Sequence, residues 1–215
     1  FVNFGVEGGL EALVNNLERI DLLKHEVVYP SILLGTSAMS ALEVAQMYQV
    51  IANNGYFSPL TTIRQVSDKN NRLLERIPLK SQKIFNQATM IQVQRAMVGV
   101  AEEGTAQYLN SRFKGKVLAG KTGTTNNNRD SWFTGFSDRL LGVVWLGNDD
   151  NKPINLTGSS GALRVWADIM AQQKIKPFKI SRDTTIEWHY INRENGGLTK
   201  QDCSNSVLLP FIKSQ

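Results

Sequence analysis

A lysine, a glycine and three threonines stand together at Lys121-Thr122-Gly123-Thr124-Thr125, and their types and order admit two chemistries. In an extended segment Lys121 is a compact cation, Thr122 and Thr124 offer hydroxyl donors, and Gly123 lets a second backbone come close. Such a strand suits a peptide that ends in a free carboxylate and takes main-chain hydrogen bonds along the strand edge. The same residues also close the run Gly115-Lys116-Val117-Leu118-Ala119-Gly120-Lys121-Thr122, which matches the phosphate-loop pattern G-x-x-x-x-G-K-[ST]. That second reading makes a nucleotide-binding protein.

The flanking residues separate the two. A phosphate loop leaves a buried strand before its first glycine and enters a helix at the Lys-Thr pair, so that backbone N–H groups converge on the anion. Here Leu109-Asn110-Ser111-Arg112-Phe113-Lys114 is too polar for a central strand, and Val117-Leu118-Ala119 favours extended pairing over a loop. After Thr122 come Gly123, Thr124, Thr125 and Asn126-Asn127-Asn128, all low in helix propensity. The apolar run 140–146 followed by Asn148-Asp149-Asp150 imitates an acidic, magnesium-holding strand end. No amphipathic helix lies between Lys121 and Leu140 to make the crossover a parallel sheet needs. The strand reading stands.

The elements that must position this strand follow from periodicity. Residues 116–123, 131–136 and 140–146 read as three sequential strands with Ser137-Asp138-Arg139 as a turn, an antiparallel meander. The third run is apolar on both sides and is expected in the sheet centre with both faces covered. Four helices are expected around it. Residues 9–23 carry Leu10, Leu13, Val14, Leu17 and Ile20 on one face. Residues 40–55 begin with a Ser40/Glu43 capping box, bury Val44, Met47, Tyr48 and Ile51, and stop at Gly55. Residues 87–101 align Met90, Val93, Met97 and Val100. Residues 160–172 turn Ala162, Leu163, Trp166, Ile169 and Met170 inward and pair Arg164 with Asp168 outside. A hairpin is expected from 60–66 and 72–77, turning at Asp68-Lys69-Asn70-Asn71. Beyond Pro177, residues 184–191 alternate like an edge strand against which Leu198-Thr199-Lys200 returns. The apolar end 207–212 is expected to dock on the domain or on a partner.

Singly, each of these side chains reads as ordinary surface or core; their order within one window is the specific signal. Residues 121–135 run Lys-Thr-Gly-Thr-Thr, a polar loop, then Asp130-Ser131-Trp132-Phe133-Thr134-Gly135. This window resembles the transpeptidase domain of class A (bifunctional) penicillin-binding proteins, most closely the Gram-negative 1B type. Leu42-Glu43-Val44-Ala45-Gln46-Met47-Tyr48, Ile51-Ala52-Asn53-Asn54-Gly55 and Glu103-Gly104-Thr105-Ala106 extend the resemblance upstream. Ala41 departs from the family, which often has Pro at that first helical position; Pro there only pre-sets φ.

The resemblance implies an α+β penicillin-binding/β-lactamase-like transpeptidase fold, an antiparallel sheet flanked by helices. Residues 1–176 are then the C-terminal portion of the transpeptidase domain and 177–215 a β-rich extension. It implies a D,D-transpeptidase that cross-links peptidoglycan stem peptides through a serine acyl-enzyme and is inhibited by β-lactams. Lys121 is then catalytic, Thr122, Gly123, Thr124 and Thr125 bind substrate, and the Thr124 backbone donates to the oxyanion. No cofactor, metal or nucleic acid is implied. The implied partners are stem peptides, β-lactams, the N-terminal half of the same domain and cell-wall synthesis regulators. The implied place is the periplasmic side of the inner membrane, anchored by a segment outside this chain, in a parent that also carries a peptidoglycan glycosyltransferase.

Such enzymes acylate the serine of an S-x-x-K motif and use a second serine in S-x-N, both upstream of K-T-G. The S-x-x-K of this chain, Ser111-Arg112-Phe113-Lys114, ends seven residues before Lys121 and is expected to be a solvated turn. No serine has Asn two positions later. The start, Phe1-Val2-Asn3-Phe4-Gly5, resembles family sequence just after S-x-N. The expectation is therefore a C-terminal piece that is inactive by itself. A chain without its nucleophile also admits a non-catalytic wall-binding module.

Composition agrees with a globular domain: 215 residues, 41% apolar, and a net charge of +5 without a dense basic block. Cys203 is the one cysteine, so no internal disulfide forms. His25 and His189 stand apart from any metal-type cluster and read as surface or packing residues.

Overall fold

Helix α1 (Val2–Glu18) bends at Gly9, whose φ of 109° and ψ of 75° leave the helical region. The computed structural model describes residues 2–23 and 29–213, so His25 lies outside the described residues. The chain divides into two units, Phe1–Ile84 and Phe85–Gln215. The first helix starts earlier than residue 9 and stops short of residue 23. Asp21 and Leu23 have positive φ, which an α-helix cannot carry, and Ile20, Leu22 and Leu23 are buried from the turn that follows.

Helix α2 (Ala41–Ala52) is the best-signalled element of the first unit. The Ser40 hydroxyl accepts from the Glu43 N–H at 3.3 Å, and the Glu43 carboxylate accepts from the Ser40 N–H at 2.7 Å. The Ser40 backbone and then side-chain hydrogen bonds hold the Glu43 carboxyl below its ordinary pKa. Val50 is the buried residue of this helix, whereas Val44, Met47, Tyr48 and Ile51 are half-buried, and burial raises the Tyr48 phenol. Strand β1 (Tyr56–Phe57) follows. The expected hairpin is present but shorter, as β2 (Gln65–Ser67) and β3 (Leu73–Arg76), before β4 (Gln82–Lys83), which pairs with β1. The Asp68 carboxylate accepts from the N–H groups of Asn70 and Arg72 and closes the turn.

The second unit begins with α3 (Gln87–Glu102), capped by the Asn86 carboxamide accepting from Ala88 N–H at 3.0 Å. Its buried face comprises Ala88, Met90, Ile91, Gln94, Met97, Val98 and Ala101; Val93 and Val100 are only half-buried, so the stripe is rotated from the expected one. Helix α4 (Tyr108–Arg112) replaces the expected solvated turn around Ser111. Propensity is not the reason: Leu109 and Phe113 are 1% and 7% exposed, and this anchoring in the core winds the turn.

Strands β5 (Ala119–Thr124), β6 (Asp130–Phe136) and β7 (Leu141–Gly147) form the expected antiparallel meander in the order β5-β6-β7. The central strand is β6, buried nearly throughout, and β7 is an edge of this sheet with Trp145 41% exposed. Among the described residues the third strand is therefore an edge, not central as expected: short sequential connections put the second strand in the middle of the three.

Helix α5 (Ala162–Ala171) covers one face of the sheet. Gly120, Gly135 and Gly142 are register partners across the three strands, a trough into which the Phe133 and Trp166 rings fit. The Trp166 indole donates to the Gly142 carbonyl at 3.1 Å, and a Cβ on Gly142 would lie 2.7 Å from that indole nitrogen. Gly142→Ala is therefore expected to destabilise by about 1–3 kcal/mol through overpacking, read as a lower urea midpoint at unchanged slope. Along α5, Ala167 is buried while Ile169 is 50% exposed, against expectation. Arg164 and Asp168 do not form the expected outer pair: the Arg164 guanidinium lies 3.5 Å from the Tyr108 ring centroid, and Asp168 faces Arg112 at 3.9 Å.

Strands β8 (Ile186–Asn192) and β9 (Ser206–Ile212) form an antiparallel hairpin, with Leu198 returning to bridge Ile191. The hairpin docks on α3 of its own unit. Ile186 packs with Ala88 and Ile91, and the β9 carbonyls of Pro210 and Leu208 accept from Gln92 and Arg95. His189 pairs with Glu187 at 3.1 Å and stands edge-on to Phe211.

Candidate functional site

Lys121, Thr122, Gly123 and Thr124 lie on β5, an outer strand of the three-stranded sheet, and Thr125 follows its end. Alternation puts Thr122 and Thr124 on the α5 side, level with Phe133 and Ser131, and Lys121 on the other side, level with Thr134. Lys121 is exposed, and its ammonium donates to the Thr122 carbonyl at 2.7 Å. A strand edge with a cation folded over it presents main-chain groups and positive charge to the same ligand.

The threonines differ in what they leave free. Thr124 Oγ1 accepts from the Gly158 N–H at 2.9 Å, which leaves its own proton for an anionic oxygen. Thr122 Oγ1 lies 2.7 Å from Thr105 Oγ1, with one hydroxyl proton between them. Thr125 is spent within the chain: its hydroxyl donates to Asp130 Oδ2 at 2.9 Å and accepts from the Asp130 N–H at 2.8 Å. The second Asp130 oxygen accepts from the Trp145 indole at 2.8 Å, so Asp130 ties the loop after β5 to β7.

Two glycines control access to the strand. A Cβ on Gly123 would meet the Cβ of its cross-strand neighbour Trp132 at 3.1 Å. A Cβ on Gly158 would lie 2.7 Å from the carbonyl oxygens of Gly123 and Trp132, so the 157–161 loop lies directly against β5 only because residue 158 is glycine. Ser131, fully buried, clamps that loop by donating to the Thr157 carbonyl at 2.7 Å and accepting from the Ala162 N–H at 2.9 Å at the start of α5.

Lys121 and Thr122 are thus mid-strand, paired with Thr134 and Phe133, and the next residues make a short 3₁₀ turn, Asn126–Asn128. No helix begins at Thr122, and the loop-to-helix geometry that a phosphate loop requires is not present there. Ser111 in α4 donates to the Tyr108 carbonyl at 2.9 Å, and Lys114 lies beyond the helix's C-cap at Phe113. Among the described residues no group of three or more His, Cys, Asp or Glu is placed to hold a metal.

Thr105, Gly158 and Ser131 carry parts of this site that strand chemistry alone does not assign. Glu103-Gly104-Thr105-Ala106 was recognisable only as a short element before the strand. The small-residue run Thr157-Gly158-Ser159-Ser160-Gly161 was the one available signal for the loop.

The family profile of the penicillin binding protein transpeptidase domain matches residues 30–171. Penicillin-binding protein 1B of Vibrio cholerae is 38% identical over 216 residues, covering 100% of this chain and 28% of that protein. The crystal structure of penicillin-binding protein 1A from Haemophilus influenzae superposes with a TM-score of 0.81 at 19% identity, over 99% of this chain and 36% of that one. The imipenem acyl-enzyme complex of penicillin-binding protein A from Mycobacterium tuberculosis gives a TM-score of 0.61 at 18% identity, over 80% of this chain and 44% of that one. The chain therefore spans little more than a quarter of the length of the curated relative it matches.

Proposed function

From membership in the penicillin-binding protein transpeptidase family, to which this chain belongs, we propose that it forms the carboxylate-binding side of a peptidoglycan D,D-transpeptidase. The observation that carries this reading is the outer strand β5, where an exposed ammonium folded onto the strand edge and two threonine hydroxyls stand within four residues of one another. Thr124, which accepts from Gly158 and keeps its proton, donates to the terminal carboxylate of a stem peptide or to the carboxylate of a β-lactam. Thr122 joins it when Thr105 supplies the shared proton. Gly123 keeps the strand free of side chain where the peptide lies, and Thr125 holds the adjoining loop through Asp130. Lys121 provides the positive field and relays a proton.

The nucleophile is a serine from outside these 215 residues, since the one S-x-x-K here is that of Ser111, whose hydroxyl is bonded within α4. Its oxygen attacks the carbonyl carbon of the D-Ala–D-Ala amide, the C–N bond breaks, and the departing D-Ala amine takes up the serine's proton. The amine of a second stem then attacks the ester carbon, and the serine oxygen leaves with a proton. The Thr124 N–H supports the oxyanion in both steps. The β7 edge, apolar and half-buried, is where the rest of the domain lies. Residues 1–176 belong to the transpeptidase domain and 177–215 are an extension.

The parent protein also carries a glycosyltransferase and works on the periplasmic side of the inner membrane. The proposed anchor is a segment outside this chain; among the described residues no helix is long and apolar enough to cross a membrane. The full-length protein, given a pentapeptide donor and an amine acceptor, is expected to release D-Ala and form dimers, both blocked by penicillin. Dimer formation that persists after saturation with penicillin would refute the assignment.

A further inference from the structure

We infer that Arg193, on the C-terminal hairpin, is a positioning residue for the β5 site, acting through Glu103 and Thr105 on the hydroxyl of Thr122. This inference rests on the carboxylate-binding reading of that site. The contacts run without a break. Arg193 follows β8 and its backbone N–H donates to the Asn205 carbonyl at 3.0 Å, which fixes it to the hairpin. Its guanidinium grips Glu103 with both arms, Nη2 to Oε1 at 2.7 Å and Nη1 to Oε2 at 2.6 Å, across 90 residues of sequence.

Glu103 opens the turn that carries Thr105. That turn is folded back on the end of α3, with the Gly104 and Ala106 N–H groups both donating to the Val100 carbonyl at 3.1 Å. Ala106 is fully buried, and a Cβ on Gly104 would meet Val100 backbone at 2.9 Å, so the turn has one tight seat on α3. Thr105 itself is exposed and reaches Thr122 Oγ1 at 2.7 Å. The hairpin thus holds the solvent side of the turn while α3 holds the other. A second hairpin link reaches the neighbouring carboxylate: Arg95 bonds the Leu208 carbonyl at 3.0 Å and Glu102 at 3.0 Å.

The chemistry at stake is the direction of one hydroxyl. With Thr105 held at hydrogen-bond distance as donor, Thr122 keeps its own proton for the ligand's carboxylate. When the turn relaxes, Thr122 turns toward other acceptors and the carboxylate loses a donor. The C-terminal extension is then part of the binding apparatus for the carboxylate, through a polar link on the surface and not through the core. An exposed ion pair contributes little to global stability, which makes the two roles separable.

The test uses the full-length protein and separates the binding constant from the acylation rate constant, with benzylpenicillin and with its methyl ester, which lacks the carboxylate. Arg193→Ala and Thr105→Val are each expected to weaken benzylpenicillin binding roughly tenfold, the low end for one hydrogen bond to a charged group, with the rate constant unchanged. Neither is expected to alter the ester. The double variant is expected to be no weaker than the worse single one, because both act on one hydroxyl. Arg193→Lys, which keeps the charge but not the fork, and Glu103→Gln are expected to fall between, and decide the matter if Arg193→Ala does not fold. Additive losses, equal losses with the ester, or an unchanged Arg193→Ala would overturn the inference. Lys121→Ala in the same assay marks which idea has failed. Insensitivity there removes the site assignment, whereas a sensitive Lys121→Ala beside an insensitive Arg193→Ala removes only the positioning role.

Discussion

Lys121→Ala in the full-length protein is expected to slow acylation by a fluorescent penicillin roughly 100-fold or more, the scale of losing a positioned proton-transfer group. The residue is exposed on an outer strand and its ammonium rests on the Thr122 carbonyl, one residue along, at 2.7 Å. That contact is exposed, so a carboxylate and a serine oxygen can take its place. Its removal leaves the strand intact, because the β5–β6 register is made by backbone pairs and the buried side chains lie on neighbouring residues. Lys121→Arg is not expected to restore the rate, since a planar fork does not substitute for a compact ammonium. The second-order acylation constant, measured beside thermal stability, checks this. An unchanged constant would show that Lys121 has no part in the chemistry.

The second large effect is all-or-none. The 215-residue chain alone is expected to gain no penicillin mass after prolonged exposure, while the full-length protein gains one equivalent. The reason lies in the serines. Ser111, with Lys114 three residues on, is the one pair that matches S-x-x-K. Its hydroxyl proton is directed to the Tyr108 carbonyl at 2.9 Å, and the short helix ends before Lys114. Ser131 is buried between Thr157 and Ala162 and reaches no solvent. A nucleophile needs both a base within hydrogen-bond reach and an open approach, and neither serine has both. Intact-mass measurement followed by peptide mapping decides it; an adduct on Ser111 would overturn the assignment of roles throughout the site.

Local signals hold where they are complete within a few residues. The Ser40/Glu43 box, the Asp68 turn and the three-strand meander each rest on contacts between near neighbours, and each is present. The departures from local pattern share a cause. Apolarity puts residues 140–146 at a sheet centre, whereas within this chain the short sequential connections leave them on an edge. Ile169 was turned inward by helical spacing, while the row of glycines under Trp166 rotates α5 so that Ala167 is buried instead. The segment around Ser111 lacks the marks of a helix, and burial of Leu109 and Phe113 supplies what propensity does not.

By itself the sequence determined the family, the identity of the strand and the chemistry that strand can offer, because order and residue type within a window of a dozen or so positions are properties of the chain. The tertiary structure alone decided the partner of each hydroxyl. Thr124 is paired with Gly158 across 34 residues and Thr122 with Thr105 across 17, whereas Thr125 closes on Asp130 only five residues away. It also brought Arg193 of the C-terminal hairpin onto Glu103, 90 positions away. A hydrogen bond depends on a few tenths of an ångström and on angle, and those are fixed by packing from distant parts of the chain. No pattern of neighbours records them.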